Sequence, residues 1–426
     1  MRLKVLLGGV FAFHAGWYML VPFLAILFTA RRGLAPAEVG LVLATQSFTL
    51  LLGSLAGGAL SDRFGRKLTM VSGLVLRTLG LGALGLVATL PGFLLTVAVA
   101  GLGGGLYGPA VKAAIALLAA GQDRTNAFSW RGIAANVGTS TGPLAGAFLM
   151  RGPMPVLFGV AAVVHGLLAG VTWLLLPPEA AATEQQGKAP WREILADTPY
   201  LAFSAVTVLG WALFAQLTIA VPLYASRVLG LEASIGLLWT ISSLAVILLQ
   251  VPVSRFITGA MSPTAAMAVG VALLGAGLGL VGLSTTFAGL VGAVLVFVAG
   301  EMLLMPTVDS TVSLMATAEA VGSYFGVASF AWGLGEGLGN LAGGALMQVA
   351  LSGGRIGLPW AVYGAAGLAV GSLFGLLGRW GAARARLTPV TPAAEAAARR
   401  IQVYRPGHPV TDDAAITLGG RPGEEE

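Results

Sequence analysis

The sequence predicts an all-α membrane protein of twelve transmembrane helices arranged as two pseudo-symmetric six-helix bundles. Three observations carry this. Hydrophobic residues make up 56% of the 426 and charged residues only 10%, and the mean hydropathy is +0.86; a soluble chain of this length is far more polar. Apolar stretches of about 20 residues, the length that crosses a bilayer, recur from the N-terminus to about residue 380. The second half of the chain also repeats residues of the first at a fixed offset.

Taken in order, the apolar stretches place helices at residues 5–29, 38–60, 68–90, 92–118, 126–150, 154–176, 199–224, 234–256, 263–284, 287–315, 322–350 and 356–379. The first follows Arg2 and Lys4 but is too long for a secretory signal and runs straight into further spans, so it reads as an uncleaved first helix. The longest polar stretch between helices, 177–198, separates an N-terminal bundle (1–176) from a C-terminal bundle (199–380) and reads as a cytoplasmic linker. Residues 381–426 turn to Pro, Ala and charge and read as a largely disordered cytoplasmic tail, with a short helix possible by pattern at Ala393–Arg400.

An even number of spans puts both termini on one side. With the termini inside, the inner segments hold sixteen Lys and Arg and the outer loops five, namely Arg31, Arg32, Arg151, Arg227 and Arg355. The positive-inside rule therefore predicts a multi-pass protein of the inner (cytoplasmic) membrane with both termini cytoplasmic. The net charge of +6 then reflects topology, and no nucleic-acid partner is expected. The absence of cysteine excludes disulfides, thiolate metal sites and cysteine nucleophiles. No cofactor or metal is implied.

At an offset of 197, Gly103, Leu106, Pro109 and Val111 fall on Gly300, Leu303, Pro306 and Val308, and Phe128, Gly138, Gly142, Leu144, Ala145 and Gly146 on Phe325, Gly335, Gly339, Leu341, Ala342 and Gly343. At 196, Gly40 and Leu41 fall on Gly236 and Leu237. Six helices preserve sidedness, so the halves are parallel repeats about an axis along the membrane normal, able to rock around a site at mid-depth.

The loop after helix 2 reads Gly58-Ala59-Leu60-Ser61-Asp62-Arg63-Phe64-Gly65-Arg66-Lys67. It resembles the G-x-L-a-D-r-x-G-r-k signature of the major facilitator superfamily, with Ser61 the departure. Gly65 suits a tight turn, and the basic residues suit a cytoplasmic loop. The resemblance implies that Asp62, with Arg63 and Arg66, helps latch the cytoplasmic side against the N-terminus of helix 11 near Gly322. A helix-terminus contact of about 0.3 to 2 kcal/mol fits a reversible latch. The matching loop of the second half, Ser254-Arg255-Phe256, lacks the Asp. A basic loop that only fixes topology is the plainer reading.

Helix 5 carries Gly138-Thr139-Ser140-Thr141-Gly142-Pro143-Leu144-Ala145-Gly146, similar to the G-x-x-x-G-P-x-x-G core found in proton-coupled major facilitator antiporters. Glycines four apart line one helix face for close packing, and Pro143 is expected to bend the helix; close packing alone also explains the pattern. The Arg that drug antiporters usually carry in helix 4 is missing from Leu95 to Leu106. Helix 10, with Gly300-Glu301 and Pro306, resembles multidrug exporters in which a Glu at this place is implicated in cation binding and proton coupling.

Charged groups inside a span cost about 2.5 kcal/mol or more on insertion scales and are functional candidates by default. Glu301, mid-helix 10 among apolar neighbours, is the leading proton carrier, since a proton carrier must be a group whose hydration changes during the cycle. Glu336, mid-helix 11, is the second, either a protonation site or a packed, hydrogen-bonded residue; in the family its helix usually lies behind the cavity. Lys112 and Asp309 fall on equivalent positions of helices 4 and 10 and read as a gating pair or as separately solvated charges. Arg77, Arg131 and His165 read as packed, paired or snorkelling groups. His14, Trp17, Tyr18, Trp211, Phe214 and Gln216 on helices 1 and 7 are the expected cavity wall, with core packing the alternative. Asn136, Gln46, Gln250 and Asn340 fit either substrate contacts or interhelical bonds.

These residues point to a monomeric secondary active transporter that exports amphipathic or drug-like small molecules by alternating access, with protons as coupling ion. An importer or lipid-related transporter on the same scaffold is the first alternative. A polytopic membrane enzyme is a remote one: no H-E-x-x-H, H-x-x-x-x-D or phosphate-binding loop occurs.

Overall fold

Among the residues that the computed structural model describes, which are 2–118, 123–176, 191–256, 261–315 and 321–387, the chain is helical and contains no strand. The elements run α1 (Arg2–Tyr18), α2 (Val21–Ile26), a π-helical turn (Leu27–Arg31), α3 (Pro36–Phe64), α4 (Arg66–Leu84), α5 (Leu90–Leu118), α6 (Asp123–Leu149) and α7 (Met154–Leu175). After α8 (Trp191–Ala196) come α9 (Thr198–Phe214), a 3-10 turn (Ala215–Leu217), α10 (Ala220–Arg227), α11 (Ile235–Phe256), α12 (Pro263–Val281), α13 (Phe287–Met315), α14 (Val321–Ser352) and α15 (Leu358–Leu387). Met1–Gly378 form one compact unit. The tail from 388 onward and residues 177–190 of the expected linker lie outside the described residues. The expected helix at Ala393–Arg400 falls there too.

Nine spans among the described residues are long and apolar enough to cross a membrane, and α6, α11 and α14 complete the twelve crossings. α6 and α14 carry Asn136, Thr139, Ser140, Glu336 and Asn340 into an interior cavity, which dilutes their apolar stretches.

The first and seventh spans are not the continuous helices that their apolar runs suggest. α1 stops at Tyr18 and resumes as α2. Pro22 has no N–H to offer the Tyr18 carbonyl, so the ladder breaks four residues before it. Pro222 likewise cannot bond Thr218, and the seventh span passes through the 3-10 turn before α10. Both halves therefore break their first helix at nearly the same repeat position. Pro143, in contrast, leaves α6 an assigned helix throughout.

The repeat is visible as packing. Side chains at Gly103 and Gly300 would collide with the backbones of Gly73 and Arg77 and of Gly270 and Leu274, the same partners one repeat apart. Gly138 and Gly142 close against the backbones of Phe11 and Ala15, and Gly335 and Gly339 against those of Val208 and Ala212, again at the offset of 197. Thus the helix 5 motif is the contact face of α6 on α1. Close backbone approach through glycine is how membrane helices gain dispersion contacts when lipid is as apolar as the side chains.

The halves meet along α3 with α14 and α6 with α11. Gly40 lies against Asn340 and Gly344, and Gly236 against Ala147 and Pro143, all away from the chain termini. One apolar core joins α2 of the first half to α10 of the second at this far end, whereas the core of the first half near the termini, built on Leu6, Val10, Met70, Leu74 and Tyr107, is separate. Arg31 reinforces the far end, donating to the carbonyls of Gly152 at 2.7 Å and Met150 at 2.5 Å. At the terminus-bearing end Gly65 turns α3 into α4 with φ 88°, a left-handed conformation that favours glycine. There Tyr324 donates to Asp197 at 2.8 Å, tying the start of α9 to α14.

Candidate functional site

A cavity of about 330 Å³ lies between the halves at mid-depth. α14 shows how it is walled. Gly335, Gly339 and Gly343 face α9 and the turn after it, Gly333, Gly337 and Gly344 face α3, and between these two strips Trp332, Glu336 and Asn340 open into the cavity. Residues four apart share a helix face, so two glycine strips leave one stripe free to project. This corrects the expectation that the helix of Glu336 stands behind the cavity.

Glu301 of α13 also lines the cavity, with Met305 one turn on. Neither a hydrogen bond nor an ion pair within 4.0 Å to the Glu301 carboxylate occurs among the described residues. Glu336 differs in having the Ser47 side chain of α3 close by, although the Ser47 hydroxyl itself donates to the Leu43 carbonyl at 3.2 Å. Tyr18 is close enough to feel both charges. Of the expected wall, His14, Trp17, Tyr18 and Phe214 line the cavity. Trp211 and Gln216 do not. Trp211 packs onto Gly335 and edge-on to Phe214 at 5.7 Å. The Gln216 amide donates to the carbonyls of Ala212 at 2.8 Å and Gly339 at 2.9 Å, which makes it an interhelical strut.

The opposite wall is cationic. Arg77 is fully buried, stacked between Phe13 at 4.7 Å and Trp17 at 4.5 Å, and its Nε donates to His165 Nε2 at 3.2 Å. His165 Nδ1 lies 2.7 Å from the Ala161 carbonyl, so that nitrogen carries the proton and Nε2 is free to accept. A guanidinium replaces its hydration here with two rings, an imidazole and the Ala100 carbonyl at 3.2 Å. A second pocket of about 250 Å³ adjoins the first, sharing Phe13, His14, Leu50 and Trp332 with it, and is lined by Tyr107, Lys112 and Arg131.

Lys112 and Asp309 are both exposed near the terminus-bearing end. They feel each other's charge but form no ion pair within 4.0 Å. Arg63 is exposed and Arg66 opens α4. Asp62 sits in the last turn of α3, and its side chain, like those of Ser254, Arg255 and Phe256, lies outside the described part of the structure. Trp239, Trp332, Ser242 and Ser243 join the wall without having been singled out from sequence. The four-residue spacing of Trp332, Glu336 and Asn340 was the available signal.

A two-fold array of twelve helices around a central cavity defines a secondary transporter. The sequence profile of the Major Facilitator Superfamily matches residues 6–340, and the chain belongs to that family. It is 28% identical over 361 residues to an uncharacterized MFS-type transporter of Mycobacterium tuberculosis, covering 82% of this chain and 86% of that protein. It is 27% identical to the multidrug resistance protein MdtH of Cronobacter sakazakii, covering 88% of this chain and 92% of the relative. Its fold matches a crystal structure of a nucleoside transporter NupG variant with a TM-score of 0.77 at 14% identity, over 88% of this chain and all (100%) of that one. The POT family transporter PepTSo matches with a TM-score of 0.75 at 15% identity, over 89% and 97%.

Proposed function

We propose that the protein is a proton-coupled exporter of amphipathic, drug-like small molecules that works by alternating access, with Glu301 as the coupling carboxylate. The observation that carries this is the carboxylate of Glu301 in the cavity wall with no partner among the described residues. A fixed structural carboxylate in a membrane interior is paired or hydrogen-bonded. One facing a cavity alone is free to take a proton or a cationic substrate, and two ligands competing for one group is the simplest form of antiport. The aromatic wall of Trp17, Tyr18, Phe214, Trp239 and Trp332 suits flat apolar bodies of varied shape. The relatives named multidrug resistance protein MdtH agree with that class.

The excess of basic residues on the terminus-bearing side supports a cytoplasmic placement of both termini, in the inner membrane of a prokaryotic cell. Packing gathered at the far end then corresponds to an inward-facing state. Closure on the cytoplasmic side brings Asp62 to the start of α14 and opens the far end. The bundles act within one chain, as 1–176 and 199–380 joined by the linker.

Everted membrane vesicles holding the full chain test this. An imposed gradient, acid inside, drives uptake of the cationic dye rhodamine 123, and Glu301→Gln abolishes that uptake while an uncharged aromatic substrate still binds the purified variant. Uptake that is indifferent to the gradient, or undiminished in Glu301→Gln, would overturn the coupling assignment.

A further inference from the structure

We propose that the pocket lined by His14, Tyr107, Lys112 and Arg131 is a subsite for the carboxylate of a zwitterionic amphipathic substrate, whose cationic end meets Glu301. This rests on the exporter reading and narrows its substrate class. The pocket, about 250 Å³, holds two cations and no carboxylate among its lining residues. Lys112 and Arg131 stand within each other's electrostatic reach, and His14 feels both. Like charges gathered in one pocket repel, and a counter-charge that enters it is favoured. The protein supplies little of it. Among the described residues neither cation forms an ion pair within 4.0 Å, and Asp309, the carboxylate that Lys112 feels, does not line the pocket.

A second observation points the same way. Arg131 Nε is shielded from solvent and has no hydrogen-bond partner among the described residues. Buried donors in native proteins are almost always satisfied, so this one is built for an acceptor that arrives from outside. The planar guanidinium fork fits a carboxylate with two parallel bonds, and a lysine adds a mobile point charge.

The pocket opens into the larger cavity past Phe13 and Trp332, so one molecule can span both. Every charged residue lining the two spaces from the first half is a cation (Arg77, Lys112 and Arg131), and each one from the second half is a carboxylate (Glu301 and Glu336). A molecule with an amine at one end, an aromatic body and a carboxylate at the other matches that order. A simple cation leaves the basic pocket unmet.

Rhodamine 110 and rhodamine 123 form a matched pair, since the second is the methyl ester of the first and lacks only its free carboxylate. Fluorescence polarisation on the purified full chain gives both dissociation constants. The expectation is that rhodamine 110 binds at least tenfold tighter. Replacing both cations (Lys112→Gln with Arg131→Gln) brings the ratio to about one, while the charge-conserving Lys112→Arg with Arg131→Lys keeps a preference of at least threefold. Equal affinities in the wild type, or a preference that survives the neutral pair, overturn the subsite and leave the exporter reading standing. If the wild type binds neither dye, the exporter reading falls, and the subsite with it.

Discussion

Gly103 closes on Gly73 in the first half, and Gly300 closes on Gly270 in the second, with the same backbone atoms in contact. The next residue is Gly104 in one and Glu301 in the other. The same holds around the cavity. At the offset of 197, Thr139 matches Glu336, Arg77 matches Leu274, and Arg131 matches Ala328. Backbone contacts are repeated and charges are not. A rocking mechanism needs two halves that stay rigid as each moves against the other around a central site, and repeated close backbone contacts give each half that rigidity. Chemistry needs the reverse: a wall of one sign facing a wall of the other orients a substrate and keeps a carboxylate from being neutralised permanently by a neighbour. The repeat therefore divides the labour, with glycines preserving the scaffold and single substitutions on it giving polarity.

The sharpest way to break this division is at the carboxylates. Glu301→Gln removes the proposed coupling group and is expected to reduce gradient-driven efflux of cations to background. Glu336→Gln replaces a group with the polar Ser47 side chain beside it, which a glutamine can also meet; efflux is expected to fall by about tenfold or less, about 1.4 kcal/mol. Measured side by side in vesicles, the reverse order moves the coupling role to Glu336.

The scaffold is tested by overpacking equivalent contacts. Gly142→Leu pushes on the Ala15 carbonyl and Met19, and Gly339→Leu on Ala212 and Ala215. Each is expected to destabilise by about 1 to 3 kcal/mol, read from unfolding in detergent, with similar values for the two. Gly8→Leu, at a position with nothing within 4 Å, is the control. Tolerance at one site alone would show that the halves do not share the packing solution.

What could be read from the sequence follows the same split. Close contacts demand glycine, glycine spacing is visible in a chain, and so the repeat was legible before any coordinates. Helix existence was legible from apolar length, but the breaks at Tyr18 and Thr218 were missed although Pro22 and Pro222 announce them four residues later. The cavity wall was half legible. An aromatic or arginine inside a span faces cavity, lipid or a neighbouring helix according to helix rotation, and rotation is set by partners distant in sequence. Trp239, Trp332 and Arg131 escaped for that reason. Gln216 could have been placed correctly: its repeat equivalent is Met19, which packs on Gly146 as Gln216 packs on Gly343, so both are contact positions.

The loop signature gives a smaller effect. Asp62→Asn is expected to slow transport severalfold and leave dye affinity within about twofold, because a latch worth about 0.3 to 2 kcal/mol shifts the balance of states and not the cavity. Distances from spin labels on the two cytoplasmic faces should shift toward the open state. A collapse of binding with unchanged distances would sink the latch.

The smallest expected effect concerns the repeat position at which both halves carry a charge. Lys112 and Asp309 are repeat equivalents of opposite sign, so the pseudo-two-fold axis brings them toward each other at matching depth as the terminus-bearing end closes. In the open arrangement both are exposed and more than 4.0 Å apart, hence hydrated, and a pair formed at the rim is screened by water on one side. Exposed ion pairs contribute about 0.2 to 1 kcal/mol, so the effect on rate is severalfold and no larger. Lys112 also serves the proposed carboxylate subsite, which would confuse the result with a zwitterionic dye. The measurement therefore uses rhodamine 123, which has no free carboxylate. Lys112→Asp and Asp309→Lys are each expected to slow its efflux about threefold to fivefold, since two like charges then meet on closure. The exchanged pair, Lys112→Asp with Asp309→Lys, restores at least half of the rate. Strictly additive losses in this double-mutant cycle would mean that the two charges never meet, and that the halves close around this axis with their inner rims held apart.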